Sequence, residues 1–272
     1  MELRYFHVDA FTDRPFAGNP AAVVPLDAWL PDATMQAIAA ELNLSETAFF
    51  APEPGAAADD ARTIRWFTPA VEVDLCGHAT LASACVLMTV VEPTRTQVRF
   101  GSRSGPLAVR RDGDRFVLDF PARPPQPCTD DALVTRLRGA LGRVPSQVLR
   151  SRDLIAVFDD AAEVRALTPD FARLAELEVH AVSVTAPGTG ADADVDFVSR
   201  FFAPREGIAE DPVTGSAHCT LVPLWAARLD RPRLHARQVS RRGGELWCEL
   251  RGDRVDLAGH AVRVGAGTLH LP

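Results

Sequence analysis

The sequence contains no lysine, because all 29 of its lysine-plus-arginine residues are arginine. A Schiff-base enzyme, including every pyridoxal-phosphate enzyme, needs a lysine amine, and so does a phosphate-binding P-loop. These classes are therefore excluded. Any chemistry that the chain performs must use carboxylates, histidine, cysteine, hydroxyl groups or backbone dipoles. We attribute the absence itself to genomic base composition.

Paired cysteines are also missing. The five cysteines are Cys76, Cys85, Cys128, Cys219 and Cys248. Their number is odd and no two of them form a C-x-x-C pair, which disfavours both a zinc site and a disulfide framework. We therefore expect no metal centre and a reducing compartment.

Long apolar runs and basic patches are absent as well. The longest apolar-rich run, residues 79–91, is too short to cross a bilayer, and the first seven residues lack the apolar stretch of a signal peptide. The formal net charge is -7 and no arginine run stands out, which argues against nucleic acid or a membrane surface as a partner. These features predict a cytoplasmic protein.

The chain does have enough apolar side chains for a sizeable core. Its 272 residues are 47% hydrophobic, and a single core becomes awkward near this length, so two domains are expected. Residues 121–127 hold four prolines and are the best linker candidate. We predict an N-terminal half over residues 1–120 and a C-terminal half over residues 121–272, with the last strand allowed to return to the first half.

Hydrophobic periodicity predicts the secondary structure around the motifs. A helix is predicted over residues 32–42, closed by Asn43, and a buried helix over residues 79–91. Strands are predicted near residues 5–11, 21–25, 47–50, 63–67, 71–75, 181–185 and 196–202, further helices near residues 131–141 and 171–177, a turn at residues 16–20 and a polar loop at residues 52–60.

A weak internal repeat relates the two halves. Phe67-Thr68-Pro69 leads through Gly77-His78-Ala79 into an apolar stretch that is predicted to be a buried helix. Phe202-Ala203-Pro204 leads through Gly215-Ser216-Ala217 into another. The distance from proline to glycine is eight residues in one copy and eleven in the other, so the match is imperfect. It fits two half-chains of like fold that meet across a cleft.

Small residues stand at the start of both predicted helices. A helix start exposes backbone N–H groups and the positive end of the dipole, so Gly77, Ala79, Gly215, Ser216 and Ala217 are candidate contacts for a carboxylate. The alternative is that both glycines only permit tight turns into buried helices. The spacing by itself favours that alternative.

Three titratable groups lie near these turns. His78 opens the first helix, Asp211 precedes the second, and Glu46 precedes the apolar strand predicted at residues 47–50. A carboxylate against an apolar strand is desolvated, which suits an acid/base group near neutral pH. The alternatives are an exposed Glu46 at a strand end, a buried hydrogen-bonded His78 and a turn-forming Asp211. Asp74 is expected on the solvent side of its strand.

Five sequence blocks resemble the signature of the PhzF-like family of phenazine biosynthesis. They are GNPAAVV at residues 18–24, NLSETAF at residues 43–49, RWFTP at residues 65–69, DLCGHAT at residues 74–80 and EDPVTGSAH at residues 210–218. They occur in the order typical of the family, and the chain length also agrees.

The resemblance implies an α+β fold of the diaminopimelate-epimerase type. Such a fold has two pseudo-symmetric halves, each with mixed β-structure wrapped around a central buried helix, and an active site between them. By motif, the resemblance assigns Glu46 as the catalytic acid/base, with His78 and Asp211 beside it, and places Asn19 in a nearby loop. Substrate binding would fall to Asn19 and the two glycine turns, Gly77 to Ala79 and Gly215 to Ala217. The resemblance further implies no cofactor, no metal, a small-molecule carboxylate substrate and a homodimer.

Three functions stay open at this point. The leading one is a cofactor-independent isomerase that moves a proton on a cyclic or amino-acid-like carboxylate. The second is an amino-acid epimerase or racemase of the same fold, which would use one cysteine from each half. Here the second half offers Asp211, and Cys219 lies past the required position, so Cys76 is interpreted as a small apolar residue at a helix entrance. The third is a non-catalytic protein that binds a metabolite or partner.

Overall fold

The computed structural model describes residues 1–53 and 61–271, and the chain divides into two compact units. Unit 1 comprises Met1–Asp119 and Ala258–Pro272, and unit 2 comprises Phe120–Leu257. Most of the polar loop predicted at residues 52–60 lies outside the described residues. Within the described part of the chain, no helix is long and apolar enough to cross a membrane.

Strands outnumber helices in both units. The strands are β1 (Glu2–Ala10), β2 (Asn19–Pro25), β3 (Glu46–Pro52), β4 (Ala61–Phe67), β5 (Glu72–Val73), β6 (Gln97–Gly101), β7 (Leu107–Asp112), β8 (Arg115–Pro121), β9 (Gln126–Pro127), β10 (Gln147–Arg150), β11 (Leu154–Val157), β12 (Val182–Pro187), β13 (Phe197–Ala203), β14 (Ile208–Asp211), β15 (Arg233–Gln238), β16 (Gly244–Arg251), β17 (Arg254–Gly259) and β18 (Ala261–His270). The α-helices are α1 (Asp32–Leu42), α2 (Gly77–Val86), α3 (Asp131–Leu141), α4 (Ala161–Arg165), α5 (Phe171–Ala175) and α6 (Gly215–Leu229). A π-helical turn continues α2 over Leu87–Val91, and short 3-10 turns cover Gly190–Asp192 and Pro204–Glu206.

In unit 1 the strands form a mixed sheet around α2. Strand β1 pairs antiparallel with β18 on one side and with β2 on the other, and β2 runs parallel to β3. Strand β3 then pairs antiparallel with β4, which is parallel to β6 and antiparallel to the short β5. Helix α2 packs against β1, β2, β3 and β18. A helix enclosed in this way must be apolar all round, and every residue of α2 after Gly77 is buried.

Unit 2 repeats this order of pairings. Strand β11 is parallel to β12, β12 is antiparallel to β13, and β13 is parallel to β15 and antiparallel to the short β14. Helix α6 lies between β14 and β15 in the chain, just as α2 lies between β5 and β6. The internal repeat read from the two proline-to-glycine segments is therefore confirmed in the strand pairing.

Several predicted elements are confirmed. Helices α1 and α3 have the predicted bounds, and Asn43 closes α1 in a left-handed conformation, with its N–H on the carbonyl of Ala39. Helices α2 and α6 begin at Gly77 and Gly215, as the repeat predicts.

Three predictions are wrong in detail. The strand predicted at residues 71–75 is shorter in the structure, where it is β5. Only Glu72 and Val73 pair with β4, opposite Phe67 and Trp66. Asp74 follows the strand and is exposed. Asn19 belongs to strand β2 and not to a turn, because it pairs with Ala10 of β1 and is fully buried. The helical run ending at residue 91 is α-helical only as far as Val86.

The central helix of unit 2 carries a histidine that no sequence pattern had singled out. His218 is 0% exposed, and its Nδ1–H donates to the carbonyl of Thr214 at 2.8 Å. Burial disfavours the imidazolium and lowers the pKa of His218 to about 4. Because the ordinary pKa is about 6.5, the neutral side chain stabilises the fold fully above that pH and progressively less below it.

We predict that protonation of the unfolded chain at His218 destabilises the protein in acid. Between pH 6.5 and pH 4 the free energy of unfolding should fall by about 1.4 kcal/mol per pH unit from this group, about 3 kcal/mol in all. Urea unfolding across this range tests the prediction. His218→Gln should flatten this part of the profile, whereas His270→Gln, at an exposed histidine, should not; equal profiles for wild type and His218→Gln would contradict it.

Candidate active site

Glu46 is the first residue of β3, and its position is set by both neighbouring strands. Its Cα pairs with Ala21 on the parallel strand β2, and the residues that follow it in β3 are buried as far as Ala51. Glu46 itself is only 8% exposed. The expectation of a carboxylate backed by an apolar strand is therefore met, and the alternative of an exposed strand-end Glu46 is wrong.

His78 lies directly against this carboxylate. It is the second residue of α2 and 6% exposed, and its Nε2 lies 3.0 Å from Oε2 of Glu46. The two atoms are at ion-pair distance, and Oε2 is itself buried against the imidazole. Two residues that are far apart in the sequence thus form one buried acid/base pair.

Cys76 completes the cluster from the N-cap position of α2. Its Sγ lies 3.5 Å from Nδ1 and 4.0 Å from Nε2 of His78, and the residue is 6% exposed. The carbonyl of Cys76 accepts the Thr80 hydroxyl at 2.6 Å, which ties the helix entrance to the first turn. Cys76 does lie at a helix entrance, as interpreted from the sequence, but the contact of its sulfur with His78 was missed.

Burial and charge act against each other in this cluster. Burial disfavours the imidazolium of His78, but the neighbouring Cys76 and Glu46 outweigh it and raise the pKa of His78 well above its ordinary value. Burial, and then the Glu46 carboxylate, raise the pKa of the Cys76 thiol. The protonation of Cys76 and that of His78 are therefore coupled within one buried cluster.

The same three side chains also offer a set of metal ligands. One ligand atom each from Glu46, Cys76 and His78 lie within 4.8 Å of one another, and oxygen, sulfur and nitrogen donors of this kind suit zinc. Metal binding would require a deprotonated thiol and a neutral imidazole. The raised pKa values of Cys76 and His78 oppose both changes, so the cluster is better suited to holding protons.

Asn19 lies close to Glu46 in the strand register. Asn19 opens β2, and Glu46 opens β3 opposite Ala21, two residues further along β2. The chain enters β2 through Gly18, whose φ is +63° and where a Cβ would meet the carbonyl oxygen of Ala10 at 2.1 Å. Only glycine fits there, and this explains why GNP is needed to bring Asn19 to its buried position.

The remaining predicted residues belong to the other unit. Asp211 ends β14 and is half-buried, and its Oδ2 accepts a hydrogen bond from the hydroxyl of Thr214. Gly215, Ser216 and Ala217 form the first turn of α6, and Ser216 is half-buried. In unit 1, Gly77 and Ala79 flank His78 in the first turn of α2. Neither central helix has a side-chain hydrogen bond from its N-cap residue, Cys76 or Thr214.

Two residues that support the site were not predicted from the sequence. Thr214 stands immediately before Gly215, as Cys76 stands before Gly77, so an alignment of the two repeats identifies it. Gln238, at the end of β15, is fully buried and binds the Asp211 to Thr214 segment from the side. A buried glutamine at a strand end could not be recognised from the sequence.

Comparisons with known proteins agree with this arrangement. The model of the family described as phenazine biosynthesis-like protein (PhzC-PhzF) matches residues 8–267. The chain is similar to an uncharacterized isomerase of Pseudomonas aeruginosa, with 53% identity over 272 residues that cover both chains completely.

Solved structures show the fold. A crystal structure of a phenazine biosynthesis protein of the PhzF family from Enterococcus faecalis is 44% identical, covers both chains completely and has a TM-score of 0.93. A hydroxyproline epimerase from Agrobacterium vitis is 11% identical, with a TM-score of 0.61 over 98% of this chain and 92% of that chain, and shows a likeness of fold alone. The predicted diaminopimelate-epimerase-like fold is thereby confirmed.

We predict that the His78 imidazole stays protonated above its ordinary pKa because of its two buried neighbours. Nitrogen NMR of labelled protein should show both ring nitrogens protonated at pH 7.5. Glu46→Gln should lower the midpoint of this titration, since it removes a negative charge 3.0 Å away. Glu41→Gln, at an exposed position of α1, is the matched control and should leave the midpoint unchanged. A neutral His78 at pH 7.5 in the wild type would contradict the prediction.

Proposed function

Because the chain belongs to the phenazine biosynthesis-like family (PhzC-PhzF), we propose that it is an isomerase that moves a proton on a small carboxylate-bearing metabolite, with no cofactor. The isomerase class is shared with its named relatives. The substrate class, a cyclic or amino-acid-like carboxylate, and the acid/base mechanism are our proposal. So are a homodimer, which the family resemblance implies, and a cytoplasmic location, which the composition of the sequence predicts.

The observation that carries the proposal is the contact between Glu46 and His78. A proton-shifting isomerase needs a base that takes a proton from one atom and returns it to another, with nothing gained or lost overall. Glu46 is largely buried, and its Oε2 lies 3.0 Å from Nε2 of His78, so a carboxylate and a proton-bearing group lie side by side. The neighbouring imidazolium stabilises the carboxylate before the transfer, and the carboxylic acid that forms then donates the proton to the acceptor atom.

The two helix starts are the proposed binding groups for the substrate carboxylate. Backbone N–H groups at Gly77 and Ala79, and at Gly215, Ser216 and Ala217, lie in the first turns of α2 and α6. A helix start contributes about 0.3–1 kcal/mol for each exposed charge that it binds, and up to about 2 kcal/mol when partly buried. We propose that each helix start is a binding group for a carboxylate in place of lysine, and that Asn19 in unit 1 and Asp211 in unit 2 are substrate contacts of their own units.

One observation supports an epimerase or racemase as the second candidate. Cys76 touches His78, so the first of the two thiols that such an enzyme needs is next to a basic group. The corresponding position in the second repeat is Thr214, whose hydroxyl is a much weaker acid than a thiol. We therefore favour the isomerase, in which Glu46 carries the proton and Cys76 is auxiliary.

A substrate screen in heavy water tests the proposed function directly. Small cyclic and amino-acid-like carboxylates are incubated with the protein, and the products are examined for incorporated deuterium and for optical rotation. Deuterium in a rearranged product supports the isomerase. Deuterium with inversion at one carbon supports the epimerase, and binding without deuterium in any compound supports a non-catalytic protein.

With a substrate in hand, we predict that Glu46→Gln lowers turnover at least about a hundredfold, because general acid/base catalysis contributes roughly 10²–10⁴ in rate. Substrate affinity should change little, since the amide fills the same space, and stability is measured separately because the variant leaves the buried His78 without its carboxylate partner. Glu41→Gln, an exposed residue of α1, serves as control. Near-normal turnover of Glu46→Gln would remove this residue from the mechanism and direct attention to His78 and Asp211.

We also predict that Cys76→Ala retains most of the activity, with only a modest packing loss. Cys85→Ala is the matched control, because Cys85 is buried in the same helix and its thiol lies against the carbonyl of Ala261. The two variants should have similar turnover and similar melting temperatures. Complete inactivation of a stably folded Cys76→Ala, with Cys85→Ala still active, would contradict the isomerase mechanism and favour the two-base epimerase.

A further inference from the structure

The segment from Asp211 to Thr214, which joins β14 to α6, is held by one buried side chain. Gln238 is 0% exposed. Its Oε1 accepts from the backbone N–H of Thr214 at 2.9 Å, and its Nε2 donates to the carbonyl of Asp211 at 2.8 Å and to Oγ1 of Thr214 at 3.2 Å. One amide thus binds both ends of the segment.

The middle of the segment is fixed as well. Ser240 donates its hydroxyl to the carbonyl of Pro212 at 2.7 Å and accepts the N–H of Gly243 at 3.0 Å. Val213 is completely buried. Asp211 is therefore attached to a segment whose backbone has little freedom, which is the condition for a precisely placed carboxylate.

The direction of each hydrogen bond in this chain follows from elementary chemistry. The N–H of Thr214 is only a donor, so the Gln238 atom facing it must be the carbonyl oxygen, and the amide nitrogen must face Oγ1 of Thr214. That hydroxyl accepts from the amide, and its single hydrogen is left to point at Oδ2 of Asp211. Oδ2 is consequently held as an acceptor.

The charged neighbours do not reverse this preference. Glu210, the adjacent carboxylate, forms two hydrogen bonds with Arg200, at 2.7 and 3.0 Å, and its charge is compensated there. His218 donates to the carbonyl of Thr214, and burial lowers its pKa to about 4, so at neutral pH it contributes no charge. The hydroxyl of Thr214 thus donates a hydrogen bond to the Asp211 carboxylate.

We infer that Thr214 and Gln238 are positioning residues for Asp211: Gln238 orients Thr214, and the hydroxyl of Thr214 donates to the Asp211 carboxylate and favours its ionised form. The role of Asp211 in the reaction rests on the proposed function. The ionised state of Asp211 does not depend on it.

Carbon NMR of protein labelled at the aspartate carboxyl carbon tests the inference without a substrate. The Asp211 signal is identified by its loss in Asp211→Asn. In the wild type its titration midpoint should lie below the ordinary aspartate value of about 3.9. Thr214→Val keeps the shape and the backbone N–H but removes the hydroxyl, and should raise the midpoint by about one to two units. Thr214→Ser restores the hydroxyl and should return it to the wild-type value.

Thr135→Val is the matched control, because Thr135 is an exposed residue of α3 in the same unit. It should leave the Asp211 midpoint unchanged, which separates the loss of this hydroxyl from a general loss of stability. If Thr214→Val does not fold, the wild-type midpoint decides alone. A wild-type midpoint at or above 3.9, or equal midpoints in Thr214→Val and the wild type, would overturn the inference, while the proposed role of Glu46 would be unaffected.

Discussion

The arrangement of unit 1 depends on keeping a carboxylate and an imidazole together out of water. Burying an ion costs several kcal/mol even after relaxation, and a partner at 3.0 Å offsets that cost only if both are held in place. Strand β3 holds Glu46 by its pairing with β2 and β4, and α2 holds His78 because the helix is enclosed by strands on several sides. The raised pKa of His78 is a consequence of this enforced proximity.

The two units repeat one topology with different chemistry at the helix entrance. In unit 1 the N-cap residue Cys76 places a thiol beside the imidazole of His78. In unit 2 the N-cap residue Thr214 places a hydroxyl beside the carboxylate of Asp211. A thiol can act as a base after losing its proton, whereas a threonine hydroxyl instead donates a hydrogen bond. The two units therefore share a backbone topology but carry different proton-bearing groups at the helix entrance.

The family motifs and the internal repeat predicted the fold and the helix starts from local signals. Small residues at Gly77 and Gly215 mark where backbone must pass from strand to helix without a bulky side chain. Asn19 shows where such signals fail: a GNP sequence resembles a turn, but Gly18 alone makes the bend, and Asn19 is already paired in β2. At Asp74 the error is the opposite one. The alternation of polar and apolar residues predicts that the strand continues past Val73, but the pairing of β5 with β4 ends at Val73.

The sequence by itself determined which reactive side chains the protein has, because composition and the order of motifs do not depend on how the chain folds. The absence of lysine, the titratable candidates Glu46, His78 and Asp211 and, through the family motifs, the α+β fold with two central helices were all predicted from it. Only the tertiary structure decided which groups touch. Three contacts show this: Cys76 with His78, His78 with Glu46, and Gln238 with the backbone N–H of Thr214. The spacing of these residues in the sequence does not predict their distances or their orientations. The physical reason is that protonation and orientation depend on desolvation and on distances of a few ångströms, which arise only when strands and helices pack.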